Sequence, residues 1–172
     1  ANDTDSKLYW RFTQGLYTDQ TFGNLILNAQ AYYQAGNDVT NKSISAYLAA
    51  LKLSYKFNKV IVSGGADILS GTNATSEKNN SFNTLYATNH KFYGWMDYYI
   101  AFPADVKNLG LNDYYLTLNY LQSKKLDLSV TGHFMTTNKE PGIQNNKDLS
   151  SSLGQDIDLG FNWKINDFIK LN

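Results

Sequence analysis

Polar and apolar residues alternate with a period of two, over runs longer than most soluble sheets use. Between Gln155 and Lys164 one side reads Ile157, Leu159, Phe161, Trp163 and the other Asp156, Asp158, Gly160, Asn162, Lys164. Successive side chains of a β-strand point to opposite faces, so this pattern predicts a strand with one apolar and one polar face. The ladder recurs. Leu126, Leu128, Val130 and Phe134 alternate with Asp127, Ser129, Thr131 and His133, and Tyr114, Leu116, Leu118 and Tyr120 with Asp113, Tyr115, Thr117 and Asn119. Leu51, Leu53, Tyr55 and Phe57 alternate with Lys52, Ser54 and Lys56, and Leu25, Leu27, Ala29, Ala31 and Tyr33 with Asn24, Asn28, Gln30 and Gln34. No segment carries a 3.6-residue apolar stripe, so the chain is expected to be all-β.

Strands are predicted at 7–17, 23–34, 43–57, 59–70, 112–121, 125–135, 152–164 and from 167 onward. Most reach the ~9–11 residues that a tilted strand needs to cross a bilayer. Tight turns are expected at Phe57-Asn58-Lys59, Gln122-Ser123-Lys124 and Ile165-Asn166-Asp167, and long polar connections at 35–42, 71–111 and 136–151. Short turns alternating with long loops match the asymmetry of outer-membrane barrels. A separate strand at 91–101 would break that parity, so 71–111 reads as one long external excursion.

Composition narrows the class. Charged residues make up 17% of the 172-residue chain and aromatics 15%, with 2 Pro and no Cys. Few charges with many Tyr, Phe and Trp suit a wall that meets lipid at two interfaces. The charge balance of 15 basic against 15 acidic residues speaks against a nucleic-acid partner. Without cysteine there is neither a disulfide framework nor a thiolate metal site. No cofactor is called for. These features predict an antiparallel transmembrane β-barrel of about eight strands, spanning 1–172 as a single region in a Gram-negative outer membrane. A soluble β-sandwich also alternates, but would favour shorter strands and a more charged water-facing side.

The stretch Ser81 to Tyr98 contains Leu85-Tyr86-Ala87-Thr88-Asn89-His90-Lys91-Phe92-Tyr93-Gly94-Trp95-Met96-Asp97. It resembles the signature of the alginate-export porin family, with Asp67-Ile68-Leu69-Ser70-Gly71 before it and Pro103-Ala104-Asp105 and Gly110-Leu111-Asn112-Asp113 after it. The resemblance covers 60–172. It implies a many-stranded barrel that passes an anionic polysaccharide. Members have about twice the strands counted here and end on an aromatic terminus, whereas Ile169-Lys170-Leu171-Asn172 does not. The chain is therefore expected to be a fragment, with lipid and the remainder of the barrel or neighbouring chains as its partners.

The polar ladders nominate pore-lining residues. Lys7, Arg11, Lys52, Lys56, Lys59, Lys164 and Lys170 face inward together with Asp67, Asp113, Asp127, Asp156 and Asp158. The set is mixed in sign, so it fits a general polar lumen as well as an anion-selective one. Within 71–111 the part from Thr72 to Asn80 reads as solvated and mobile. The aromatic block from Phe82 to Phe102 is expected to pack into the barrel mouth, with His90, Lys91, Trp95 and Asp97 at the pore. Asp156 and Asp158 share a strand face, which alternation explains without catalysis. His90 and His133 lie on different elements without ligand-type neighbours, so neither an enzyme nor a transition-metal site is expected. The function read from the sequence is passive diffusion of polar or anionic solutes, with a structural or adhesive barrel as the alternative.

Overall fold

The computed structural model describes residues 8–85, 92–144 and 147–171. Its strands are β1 (Arg11–Phe22), β2 (Leu25–Asn37), β3 (Ser43–Phe57), β4 (Val60–Leu69), β5 (Leu111–Leu121), β6 (Leu126–Thr137), β7 (Ile143–Gln144), β8 (Lys147–Asp148), β9 (Ser152–Lys164) and β10 (Lys170–Leu171). Eight form one antiparallel sheet in the order β1-β2-β3-β4-β5-β6-β9-β10, and β7 pairs only with β8. The chain is all-β, as the alternation predicts.

Two expectations are corrected. The sheet does not close into a barrel: β1 and β10 are its edges, and among the described residues nothing pairs them. The short last strand offers 2 residues to a partner, against 12 in β1. The first strand is displaced from 7–17 to Arg11–Phe22 and meets β2 through Gly23-Asn24. Thr18-Asp19-Gln20-Thr21 looked like a loop, but an edge strand tolerates polar residues along its length. The long polar connection at 136–151 also holds the short β7–β8 hairpin, and its first residues, Thr136 and Thr137, extend β6.

Register fixes which residues share a face. Tyr33 pairs Tyr47, Ala50 pairs Asp67, Asp67 pairs Asp113, His133 pairs Asp156, and Thr131 pairs Asp158. Because partners lie on the same side and neighbours on opposite sides, each long strand contributes to one apolar and one polar face. Every Lys, Arg and Asp of the long strands falls on the polar face. The apolar face carries no charged side chain and remains open, with Leu116 63%, Ile157 71% and Leu159 75% exposed.

The apolar face is ordered in bands. Toward the long connections lie two aromatic pairs, Tyr33 with Tyr47 on β2 and β3 and Tyr114 with Phe134 on β5 and β6. Phe22, Tyr55, Phe57, Tyr120, Phe161 and Trp163 form a second band toward the tight turns, with the Tyr55 and Phe57 rings 4.4 Å apart. Between them lie aliphatic and small residues such as Leu27, Ala29, Leu51, Leu53, Val62, Leu118 and Val130. From Tyr47 to Tyr55 the strand covers about 26 Å at ~3.3 Å per residue.

The buried core lies on the other side. Ile44, Ala46, Leu69, Leu111 and Met135 form the long-connection end of the polar face, and Phe82, Tyr93, Phe102 and Val106 from the β4–β5 connection cover them. The described residues of that connection form turns and bends, with one parallel bridge between Ile44 and Asn79.

Candidate functional site

The β4–β5 connection folds back over the polar face, and the site lies where the two meet. A block of aromatic residues cannot stay solvated without cost, and the apolar end of the polar face offers it partners. Tyr93 packs edge-on to Phe102, with centroids 4.9 Å apart at 68°, and is buried against Met135. Burial raises the Tyr93 hydroxyl pKa above the ordinary tyrosine value, with the nearby Asp67 and Asp113 carboxylates adding to the effect. The phenol stays neutral.

Thr72 to Asn80 is tied to the sheet and to itself by hydrogen bonds. The Ser45 N–H donates to the Asn79 carbonyl and the Asn79 N–H to the Ser43 carbonyl, both at 2.9 Å; Asn80 Nδ2 donates to the Ser45 carbonyl at 2.8 Å, and Ser70 Oγ donates to the Asn80 carbonyl at 2.7 Å. The side chains that made this stretch look solvated satisfy its backbone instead, as Asn and Ser do in turns. Asp38, in the β2–β3 connection, accepts from Asn79 Nδ2 at 2.9 Å and from Thr40 and Lys42. Burial pushes the Asp38 carboxyl up, but the hydrogen bonds from Thr40, Asn79 and the Lys42 backbone outweigh it and bring it down to about 2.

Deeper along the polar face, three strands place a chain of polar groups. His133 Nδ1 donates to the Asp113 carboxylate, 2.9 Å from Oδ2, and His133 Nε2 lies 3.7 Å from Asp158 Oδ2. Asp158 accepts the Trp95 backbone N–H with Oδ1 at 3.1 Å and Oδ2 at 3.2 Å. The chain therefore runs β5–β6–β9 and ends on the inserted segment. Gly94 has φ +81° and lies against the Asp156 carboxylate, where a Cβ would collide. The far edge of the Trp95 ring lies over Gly160, in space that a side chain there would fill.

Around this anchor the polar face and Phe92, Gly94 and Trp95 line an open cavity of about 530 Å³. Lys52, Asp67, Trp95 and Asp158, all nominated from the sequence, line it with Tyr17, Gln30, Tyr115, Thr117, Asn119, Thr131 and His133. Arg11 faces an adjoining cavity of about 690 Å³, with Tyr32, Gln34, Asn83 and Tyr93. Asp156 lies beneath Gly94 rather than in the first cavity. Lys56 and Asp127 sit toward the tight turns, where Asp127 accepts from Asn162 at 2.8 Å. Asp97 occupies an exposed turn with φ +58°. Lys59 and Lys164 bond locally at turns, to the Gln122 carbonyl and to Asp167. Lys7, His90 and Lys91 lie outside the described residues.

The link between His133 and the insert is not among the roles its sequence position suggests. Its signal was the ladder itself, since His133 alternates in step with Thr131 and Asp127. Gln34 was also passed over. It is buried, and its side-chain amide makes both backbone hydrogen bonds of Asn83, at 2.7 and 3.0 Å. Among the described residues no group of three or more His, Cys, Asp or Glu is arranged to hold a metal ion.

No family model and no curated protein matches the chain.

Proposed function

We propose that this chain forms part of the wall of a bacterial outer-membrane β-barrel, through which a polar solute diffuses along the polar face. The observation that carries the reading is the exposed, uncharged sheet face with aliphatic residues between two aromatic bands. A water-facing sheet carries charges, whereas a lipid-facing wall carries an apolar band ~25 Å tall with aromatic girdles at both interfaces. The separation of the aromatic bands, about 26 Å on β3 from Tyr47 to Tyr55 and about 20 Å on β5 from Tyr114 to Tyr120 before tilt, is of that order. All tight turns leave from one end of the sheet and all long connections from the other, as such barrels require. The unpaired edge of β1 is not tolerated in lipid, so this reading includes further strands completing the wall, from the same protein or a neighbour.

The polar face then lines a lumen, and the insert narrows it. An alginate-like permeant has its support in the His90-Lys91-Phe92 and Gly94-Trp95 likeness. On the polar face itself, Asp19, Asp67, Asp113, Asp127, Asp156 and Asp158 stand against Arg11, Lys52, Lys56 and Lys164, which favours a polar solute over a polyanion. Planar-bilayer recordings on the detergent-purified protein, with reversal potentials in a KCl gradient, test the channel. Stable conductance steps are expected. A folded, membrane-inserted protein without conductance would overturn it in favour of a barrel that binds partners through its long connections.

A further inference from the structure

The cavity beneath Trp95 has chemistry that a passive water-filled lumen does not need. Tyr17 and Trp95 both line it and remain 62% and 51% exposed, so the fold holds two aromatic rings at its wall without covering them. Trp95 is fixed by its backbone N–H on Asp158, and its ring edge rests over Gly160. Tyr115 is likewise set in place, its ring filling the space above Gly65 and its centroid 5.6 Å from that of His133. Between these rings the lining is amide, hydroxyl and carboxylate. Among the described residues the side chains of Gln30 and Asn119 have no hydrogen-bond partner, whereas Thr117 and Thr131 bond each other at 3.0 Å.

We infer that this cavity is a binding subsite for a neutral sugar unit of an oligosaccharide. A pyranose ring has an apolar C–H face that stacks on Tyr or Trp, and hydroxyls that both donate and accept. Gln30 and Asn119 supply both roles, Asp67 and Asp158 accept, and Lys52 donates. The volume lies in the ~300–1,000 Å³ range of small-molecule sites. A uronate ring would bring its carboxylate against Asp67 and Asp158, with Lys52 the one lysine or arginine in the lining to offset them and His133 already held between Asp113 and Asp158. A metal ion is the poorer fit, because among the described residues no group of three or more His, Cys, Asp or Glu is arranged to hold one. The inference deepens the channel reading, on which it rests for the route by which the sugar arrives.

The test is tryptophan fluorescence on the detergent-purified protein carrying W10F and W163F, which leaves Trp95 as the reporter. It is titrated with maltotriose, cellotriose, mannotriose and a uronic acid trimer. At least one neutral trimer is expected to shift the Trp95 emission saturably, with the uronate trimer at least tenfold weaker. Tyr17→Ala should weaken binding about tenfold, and Tyr17→Phe, which keeps the ring, should retain it. Circular dichroism confirms that each variant is folded. No response to any neutral trimer, or uronate binding as tight, overturns the subsite. So does full affinity in both Tyr17→Ala and Gln30→Ala. Conductance without sugar binding removes the subsite and leaves the channel; sugar binding in a protein without conductance does the reverse.

Discussion

The side-chain amide of Gln34 forms both backbone hydrogen bonds of Asn83, forty-nine residues away, donating to its carbonyl at 2.7 Å and accepting from its N–H at 3.0 Å. Gln34 thus acts for the insert as a neighbouring strand would. Gln34→Ala should leave a largely shielded N–H and C=O without partners, a local cost of about 1–3 kcal/mol per group. The Asn83 amide should then exchange about ten- to a hundredfold faster in hydrogen-exchange mass spectrometry, with the β3–β4 amides unchanged. Unaltered exchange at Asn83 would show that the insert is held elsewhere.

Gly94 combines a left-handed backbone with contact against Asp156, so Gly94→Ala should cost at least the ~1–2 kcal/mol of an L-residue in that conformation. Gly132→Ala is the matched control, since a Cβ there meets nothing within 4 Å. Urea unfolding in detergent is expected to lower the midpoint for the first and leave the second near wild type.

Leu51 lies midway between the aromatic bands on the uncharged face. If that face meets lipid, Leu51→Arg should destabilise the protein by about 2–4 kcal/mol when folded into vesicles. The test is the equilibrium unfolding free energy in vesicles of matched thickness. On a sheet that faces water the same change would be close to neutral and would improve solubility.

Asp38 gives a pH dependence with a definite sign. Its carboxyl lies at about 2 in the folded chain against an ordinary 3.8, so it binds protons more weakly when folded. Its contribution is complete above pH 4 and is lost as the pH falls toward 2. Amide exchange at Thr40 and Lys42, corrected for the intrinsic rate, should therefore quicken over that interval. Asp38→Asn, which keeps an acceptor oxygen but cannot ionise, should flatten the response.

Much of the sheet was legible because alternation reports directly on which side of a strand each residue faces. Ile157 to Trp163 and Leu126 to Phe134 read correctly, since a one-residue slip would have moved a whole apolar set to the wrong side. Arg11–Phe22 was displaced because an edge strand imposes less pattern: Asp19 and Gln20 are compatible with either a loop or an edge. The site was legible in parts. Lys52, Asp67 and Asp158 follow from parity, but their meeting with Trp95 depends on how the insert folds, and no period encodes that. The hydrogen bonds of Thr72 to Asn80 carry no period either: the Asn and Ser that give a segment a solvated composition are also the residues able to satisfy an irregular backbone.

The placement of the core also bears on how such a protein can diversify. Ile44, Ala46, Leu69, Leu111 and Met135 bury against Phe82, Tyr93, Phe102 and Val106, so the insert supplies four of the nine residues in the closely packed apolar cluster among the described residues. A loop that merely decorates a scaffold can be exchanged wholesale between lineages, as antibody loops are. Here a transplanted insert would strip the sheet of its interior. New specificity is therefore expected to arise by replacing single residues around Trp95 and Tyr17, with the insert inherited together with the strands it covers.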